Sequence, residues 1–409
     1  MIEWRRVLGV SVAALTVLSL LLLQKYSSIL GIHTSASSYL ANARRDDAEP
    51  FRNVNRATTP LKTCVAVSPA KVDGLSKLCG PTYFVLGLAK CGTTSFYCYM
   101  RQHPDVYVHR SQEMHLFEQS WSAQKNFASA QKVYSRILNG FTFPPNGVHT
   151  NTVFGMHSPS VLWNVPKTRD AKCTPSSCRL KYHTNHTLVN VAKLMPRTQV
   201  YAAVVRDPVA RAWSHFRHFS SRCPGENLSA PACFDKMVRG QINWLEECFE
   251  ANGRGSSYCA KAPFHKESKS KRIVSMGLYM NMISEAMQVL PDGIKMCVVS
   301  HAVFSSDLNT EMKTFESCAG MRPFGNYTSL TLEHGQQVPV KGGHRPDECN
   351  TLHKNTEKYR SKRDPVKVSM LDSTRDLLQR FYAPFNRQLA SFSGRSLKEL
   401  GMDYSYNKK

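Results

Sequence analysis

The distribution of apolar residues divides the chain into three parts. Residues 7–23 form an uncharged run dominated by Leu, Val and Ala, at the short end of the length that spans a bilayer. Residues 24–78 are rich in polar residues and sustain no apolar period. From residue 79 onward, short apolar runs alternate with helical patterns. We therefore predict a membrane segment at 7–23, a stem at 24–78 and one folded domain at 79–409.

The flanks of the apolar run predict its orientation. Arg5 and Arg6 lie in the short tail 1–6, and little basic excess follows the run until Arg44. The positive-inside rule then leaves the tail in the cytoplasm and places the rest of the chain in the secretory lumen. A cleaved signal peptide is the alternative interpretation.

Within the folded part, the apolar runs predict buried strands separated by helices. Nearly continuous apolar runs predict strands at 82–87, 199–205 and 295–300. Helical patterns lie at 93–102, 208–220, 276–289 and 369–390. Strands that alternate with helices predict an α/β fold with a central, mostly parallel sheet.

Composition narrows the class of protein. The 409 residues include 53 Lys and Arg against 30 Asp and Glu, a formal net charge of +23, and 42% of them are hydrophobic. That apolar content supports a sizeable core and excludes wholesale disorder, and the absence of repeats excludes a solenoid. The basic excess predicts an anionic partner, such as a nucleic acid, an acidic membrane surface, or an acidic polymer or cofactor.

Cysteines and glycosylation signals agree with a lumenal location. All 13 cysteines follow the apolar run, and close pairs are typical of local disulfides in an oxidising compartment. These pairs are Cys173/Cys178, Cys223/Cys233 and Cys248/Cys259. Asparagines of N-glycosylation sequons are Asn185, Asn227 and Asn326. A lumenal protein meets acidic glycans, so we expect a glycan partner and no nucleic acid.

The segment GLAKCGTTS at 87–95 joins a predicted strand to a hydroxyl-rich helix start. Turns of this kind present backbone N–H groups to a phosphate. Gly87 and Gly92 have the spacing of a nucleotide-kinase P-loop, but Thr93 stands where that loop has its lysine. The lysine is Lys90, inside the turn, so the pattern predicts a phosphate-binding turn and disfavours a kinase. An ordinary turn with a stray lysine is the alternative.

Two segments resemble the donor-binding motifs of Golgi carbohydrate sulfotransferases, which use 3′-phosphoadenosine 5′-phosphosulfate (PAPS). YFVLGLAKCGTTSF at 83–96 is similar to their 5′-phosphosulfate loop, and VVRDPVARAWSHF at 204–216 to their 3′-phosphate segment. The resemblance implies the P-loop-like, three-layer sulfotransferase fold, with no metal required. It implies that PAPS is bound by Lys90, Cys91, Gly92, Thr93, Thr94, Ser95, Arg206 and Ser214.

Further segments extend the resemblance along the folded part. SQEMHLF at 111–117 resembles the segment that holds the proposed catalytic base of the family, which implies that Glu113 is the base beside a catalytic Lys90. KGGHRP at 341–346 resembles a late cofactor loop. That match adds Lys341, Gly342, His344 and Arg345 to the implied PAPS site. The alternative interpretation of Glu113 is a surface carboxylate, and that of the segment 341–346 is a solvated glycine turn.

The resemblance is nearest to the N-acetylgalactosamine 4-sulfate 6-O-sulfotransferase branch. It implies a Golgi membrane enzyme that sulfates chondroitin or dermatan sulfate, with a homodimer as one option for its assembly. His157 and Gln112 depart from the family's pattern, at positions expected to bind the acceptor. Another acceptor, such as heparan sulfate or a tyrosine-bearing protein, and a catalytically silent glycan-binding protein remain alternatives. The basic run 261–272 is either a glycan-binding segment or a solvated loop.

Overall fold

The computed structural model describes part of the chain. The described residues are 65–66, 77–78, 81–109, 117, 152–162, 186–195, 198–219, 227–261, 272–327 and 369–404. All of them lie in the compact unit Leu61–Lys409. Within these ranges, no helix is both long and apolar enough to span a membrane. The membrane segment predicted at 7–23 lies outside them.

Within the described residues, seven strands form two sheets. In chain order they are β1 (Val65–Ala66), β2 (Lys77–Leu78), β3 (Tyr83–Gly87), β4 (Val106–Val108), β5 (Val153–His157), β6 (Val200–Val205) and β7 (Lys295–Ser300). β1 and β2 form a short antiparallel pair. The other five strands form a parallel sheet in the order β4-β5-β3-β6-β7.

Nine α-helices are described. They are α1 (Thr93–Met100), α2 (His186–Leu194), α3 (Pro208–Phe219), α4 (Ala230–Asn252), α5 (Ser257–Lys261), α6 (Tyr279–Val289), α7 (His301–Ser306), α8 (Leu308–Ala319) and α9 (Asp372–Ser393). A single 3₁₀ turn, Ser275–Gly277, precedes α6.

The central strands are buried on both faces. Every residue of β3 and of β6 is buried. Because successive side chains of a strand point to opposite faces, elements must cover both sides of the sheet. This explains why the two strands are continuous apolar runs, and it confirms the predicted α/β fold with a central parallel sheet.

Local patterns gave the positions of the predicted elements to within a few residues. The three predicted strands correspond to β3, β6 and β7, and three of the four predicted helices correspond closely to α1, α3 and α6. The predicted helix at 369–390 lies at Asp372–Ser393 and contains Pro384. The short edge strand β4, its neighbour β5 and the long helix α4 were not predicted.

Disulfides connect neighbouring elements of the folded unit. The predicted pair Cys248–Cys259 is bonded and joins α4 to α5. A second bond, Cys297–Cys318, joins β7 to α8 and was not anticipated from the spacing. Cys98 and Cys233 are also disulfide-bonded. Several disulfides in one chain are typical of a protein in an oxidising compartment. Cys173, Cys178 and Cys223 lie outside the described residues.

Candidate functional site

The turn between β3 and α1 has the backbone conformation of an anion-binding loop. Lys90 adopts a φ of +67° and Gly92 a φ of +88°, both in the left-handed region. A Cβ atom at Gly92 would lie 2.6 Å from the Cδ2 atom of His301 and 2.8 Å from the Cζ atom of Phe304. Only glycine therefore fits at position 92. Alternating left-handed and right-handed residues turn successive N–H groups toward one side, where an anion can bind.

The helix that follows the turn starts without a side-chain cap. Gly92 is the N-cap residue of α1, and no side chain accepts a hydrogen bond from the first turn. Thr93 is buried, while Thr94 and Ser95 are half-buried. The first N–H groups of a helix have no partner within the helix and carry partial positive charge. This end of α1 therefore leaves its first N–H groups without a side-chain partner, and phosphate binding there stays a prediction.

Arg206 connects the second predicted motif to the turn. It follows the last residue of β6, and its Nη1 atom donates to the carbonyl oxygen of Lys90 over 3.4 Å. Asp207 accepts hydrogen bonds from the N–H groups of Val209 and Ala210 at 3.1 Å each, so it caps α3 as predicted. The two motifs, more than a hundred residues apart in sequence, therefore meet at the carboxyl edge of the sheet.

Ser214 lies farther along α3. Along this helix Ala210, Ser214 and Arg217 recur at helical spacing and share a partly or fully exposed face. Arg211 and His215, each one residue further along the helix, are buried. The guanidinium of Arg211 donates to the carbonyl oxygen of Ile273. The sequence thus separates a serine that can reach a ligand from an arginine that supports the core.

Tyr279 connects the turn 88–92 to the residue that follows β6. Its hydroxyl donates to the carbonyl oxygen of Arg206 over 2.8 Å, and its oxygen lies 3.5 Å from the sulfur of Cys91. The Cys91 thiol also donates to the carbonyl oxygen of Ala89 over 3.9 Å. Burial raises the pKa of Cys91, so the thiol stays protonated. Cys91 therefore acts as a packing residue of the turn.

The C-terminal segment, residues 395–404, contacts the ends of β6 and β7. The Tyr404 hydroxyl donates to the Asp207 carboxylate over 2.8 Å. The Ser300 hydroxyl donates to the carbonyl oxygen of Glu399 over 2.6 Å. Leu400 and Met402 are buried between these contacts. The last residues of the described chain therefore fix the strand ends that surround the turn.

His301 is a residue of the site that the sequence did not reveal. It follows the last residue of β7, and its ring lies against Gly92. The signal that could have found it is a polar residue directly after a buried strand, the same position that Arg206 has after β6. Among candidate ligand-facing residues, Lys90, Thr94, Ser95, Arg206 and Ser214 are all described and at least partly accessible. Glu113, Lys341, Gly342, His344 and Arg345 lie outside the described residues.

The structure corrects the expectation for His157. This side chain is 1% exposed and lies under the turn, with its Nε2 atom 3.2 Å from the Tyr83 hydroxyl. The rings of Phe96 and Tyr97 pack on it. Burial lowers the pKa of His157 to about 3, so the imidazole is neutral. His157 is a core residue and cannot contact an acceptor, because aromatic packing fills the space around it.

The two ends of the basic run 261–272 are also core residues. Lys261 is 2% exposed and forms an ion pair with Glu285. Arg272 is buried and donates to the carbonyl oxygen of Lys261 over 2.8 Å. Neither a glycan-binding role nor a solvated loop describes these two residues, because a buried cation needs a fixed partner. Residues 262–271 lie outside the described part.

In the described ranges, no three His, Cys, Asp or Glu side chains are grouped as a metal site requires. A site without a metal stays a prediction.

Comparison with known proteins connects the chain to sulfotransferases. No model of a protein family matches it. A curated protein, a membrane-associated sulfotransferase of Dictyostelium discoideum, is 26% identical over 179 residues. The match covers 43% of this chain and only 31% of that protein. This relative supports the relationship to sulfotransferases that the motifs predict.

Among solved structures, a sulfotransferase from Alicyclobacillus acidocaldarius matches this chain. Its crystal structure matches with a TM-score of 0.42 and 16% sequence identity, over 79% of this chain and 100% of that one.

Proposed function

We propose that this protein transfers a sulfuryl group from PAPS to a hydroxyl group of an acidic glycosaminoglycan. The observation that carries the proposal is the contact between the two motifs, in which the Arg206 guanidinium donates to the carbonyl oxygen of Lys90. It brings a lysine, an arginine and an uncapped helix start to one edge of the sheet. Ligands of open α/β sheets bind at this edge, beyond the carboxyl ends of the strands.

The residues present fit a donor with separate phosphate groups. A 5′-phosphate fits the turn, where the N–H groups of Thr93, Thr94 and Ser95 begin α1 without a side-chain cap. A 3′-phosphate fits Arg206 and Ser214, since a guanidinium binds phosphate with two N–H groups and a hydroxyl adds a donor. PAPS supplies an activated sulfuryl group whose leaving group is a phosphate. In the proposed site, Lys341, Gly342, His344 and Arg345 add a cofactor loop, and Cys91 supports the turn.

Two residues carry the proposed chemistry. The Lys90 ammonium, on a backbone held in a left-handed conformation, stabilises negative charge that develops on the leaving and transferred oxygens. Glu113 accepts the proton of the acceptor hydroxyl. Transfer of this kind depends on positioning and fixed positive charge, and the lysine, the arginine and the helix N-terminus supply that charge.

For the acceptor, we propose 6-O-sulfation of N-acetylgalactosamine 4-sulfate in chondroitin or dermatan sulfate. The net charge of +23 supports an acidic acceptor. The motifs that resemble this branch support the choice. With His157 buried, only Gln112 remains as a departure at a position expected to bind the acceptor. Heparan sulfate is the main alternative acceptor, and a silent glycan-binding protein is the alternative without chemistry.

We place the enzyme in the Golgi membrane as a single-pass protein with a lumenal catalytic domain. The disulfides Cys248–Cys259 and Cys297–Cys318 support an oxidising compartment. Exposed asparagines in the sequons at Asn227 and Asn326 are accessible to glycosylation. The proposed anchor is the apolar run 7–23, and a homodimer remains an option for the assembly.

Transfer of labelled sulfate tests the function. The full-length chain is incubated with labelled PAPS and one glycan at a time. The glycans are chondroitin, chondroitin 4-sulfate, dermatan sulfate and heparan sulfate, and each sulfated glycan is used both intact and desulfated. We expect incorporation into acceptors that carry N-acetylgalactosamine 4-sulfate. Incorporation into heparan sulfate alone would correct the acceptor, and no incorporation into any glycan would contradict the proposal.

Replacement of Lys90 separates chemistry from mere binding. Lys90→Ala should lower turnover by about 10²-fold or more, as loss of a donor to developing negative charge does in other enzymes. The matched control is Lys236→Ala, which replaces an exposed lysine on α4 and should retain turnover. A folded Lys90→Ala protein with near-normal turnover would contradict the assigned role.

A further inference from the structure

His301 occupies the same position after β7 that Arg206 occupies after β6. The two strands are parallel, and Val205 pairs with Ser300, so Arg206 and His301 each follow the last paired residue. Neighbouring strands lie about 4.8 Å apart. Both side chains therefore start from the same edge of the sheet, beside the turn 88–92.

The imidazole of His301 lies directly on the turn. The position of a Cβ atom on Gly92 is 2.6 Å from its Cδ2 atom and 3.3 Å from its Nε2 atom. The Phe304 ring, with its centroid 4.8 Å from that of His301, packs beside the imidazole. The ring edge that carries Nε2 thus faces the N-cap of α1, where the N–H groups proposed to bind phosphate begin.

Hydrogen bonding within α7 determines which nitrogen of His301 carries the proton. The Ser305 hydroxyl donates to the carbonyl oxygen of His301 over 2.6 Å. The hydroxyl oxygen of Ser305 also lies 3.2 Å from Nδ1 of His301. Because a hydroxyl has one proton, Nδ1 must be the donor to this oxygen. In the neutral ring, Nε2 therefore has a free lone pair, and a second proton would be added on the side of the turn.

The surroundings keep His301 neutral. Burial, and then the positive charge of Arg206, lower the pKa of His301 to about 4. Other titratable groups on the elements packed around it are Lys90, Cys91, Asp207, Glu311 and Glu399. The three carboxylates among them have their own partners in Tyr404, Arg395 and Ser396. Asp207 also interacts with the charge of Arg206, but burial and the positive charge of Arg206 are what lower the pKa of His301.

We infer that His301 is a further donor-binding residue, which takes up a proton at Nε2 when a nucleotide phosphate occupies the turn. This inference rests on the proposed function. A phosphate in the turn adds negative charge next to both Arg206 and His301. A negative charge close to an imidazole favours its protonated form. The added proton gives the phosphate another charged N–H donor, of the kind that binds anions most strongly.

The direction of the pH dependence follows from the free and bound states. His301 is neutral above about pH 4 in the free protein, and its pKa is higher in the bound protein. Between these two pKa values, binding takes up a proton, so the apparent Kd rises with pH by up to about tenfold per unit. Above the bound-state pKa, this contribution to the pH dependence disappears.

Calorimetric titration of adenosine 3′,5′-bisphosphate into the full-length chain measures this proton. At about pH 5.5, between the lowered pKa and the ordinary histidine value, titrations in two buffers with different ionisation enthalpies give the number of protons taken up. The wild-type protein is compared with His301→Gln and His301→Asn. The control is His218→Gln, which replaces an exposed histidine near the far end of α3. Phosphate groups of the nucleotide titrate near pH 6, but they do so equally in every protein.

We expect the wild-type protein and His218→Gln to take up close to one proton more than either His301 variant. The apparent Kd of the His301 variants should also change less between about pH 5.5 and 7. Equal proton uptake in the wild-type protein and a His301 variant that binds the nucleotide would overturn the inference. Absence of nucleotide binding to the folded wild-type protein would instead overturn the proposed function on which it rests.

Discussion

Replacement of Gly92 by alanine tests the geometry on which the proposed site depends. Gly92 is the N-cap of α1 with a φ of +88°. The added methyl group would lie 2.6 Å from Cδ2 of His301 and 2.8 Å from Cζ of Phe304. Real Cβ atoms do not approach other heavy atoms so closely, so the two rings or the turn must move.

The expected cost has two sources. A residue other than glycine in the left-handed region costs about 1–2 kcal/mol. Overpacking against side chains that cannot move freely costs about 1–3 kcal/mol more. Gly92→Ala should therefore lower the free energy of unfolding by about 2–5 kcal/mol. Movement of the turn should also weaken binding of adenosine 3′,5′-bisphosphate, because the N–H groups of α1 no longer point to one site.

The matched control is Gly394→Ala at the C-cap of α9. Gly394 has a φ of +67°, and a Cβ atom there meets no atom within 4 Å. This variant has the backbone cost without the steric clash, so it should lose only about 1–2 kcal/mol. Urea denaturation of the full-length protein, followed by tryptophan fluorescence, gives both values.

A double-mutant cycle with His301→Ala isolates the contact between ring and turn. Without the imidazole, Gly92→Ala should cost about 0.5–3 kcal/mol less than in the wild-type background. The reasoning fails if Gly92→Ala costs no more than Gly394→Ala, or if His301→Ala leaves the cost unchanged. Either result would show that the His301 ring does not lie on Gly92.

Three further experiments address the remaining residues. Arg206→Ala should weaken binding of adenosine 3′,5′-bisphosphate by at least about tenfold, because a charged hydrogen bond is lost. Glu113→Gln should instead reduce turnover with little loss of nucleotide affinity, because it removes a base and no phosphate contact. Equal loss of affinity in both variants would make Glu113 a structural support. Glycosidase treatment of the protein from a eukaryotic host should change its gel mobility, and Asn227→Gln with Asn326→Gln should reduce the change; no shift would count against a lumenal location. Tyr279→Phe should lower the free energy of unfolding by about 1–3 kcal/mol, because the carbonyl group of Arg206 loses its donor, and an unchanged urea midpoint would contradict that contact.

The sequence by itself determined the elements whose signals are local. β3 and β6 are continuous apolar runs because both faces of the parallel sheet are covered there, so every residue of these two strands is buried. β7 was recognisable from its apolar residues, although Lys295 at its start is exposed. The positions of the turn at Gly92 and of the cap at Asp207 were also predictable, because φ restrictions and helix capping depend on residues close in sequence. The Cys248–Cys259 disulfide was predictable for a similar reason, because its two cysteines are only 11 residues apart in the sequence.

Only the tertiary structure decided what lies next to what. His157 stands at a position where the resemblance predicts contact with the acceptor, yet the packing of Tyr83, Phe96 and Tyr97 makes it a core residue. Lys261 belongs to a basic run, yet its partner Glu285 is on α6 and buries it. A single residue type is compatible with both surface and core, so periodicity cannot distinguish these cases.

The site itself shows the same division. Sequence motifs placed Lys90 and Arg206 each after a buried strand, but the order β3-β6-β7 in the sheet brought them together and added His301. Strand order depends on contacts between residues far apart in the chain, for which a local pattern contains no information. The sequence thus shows which chemical groups the individual residues carry. The pairing of the parallel strands places Arg206 and His301 next to the turn.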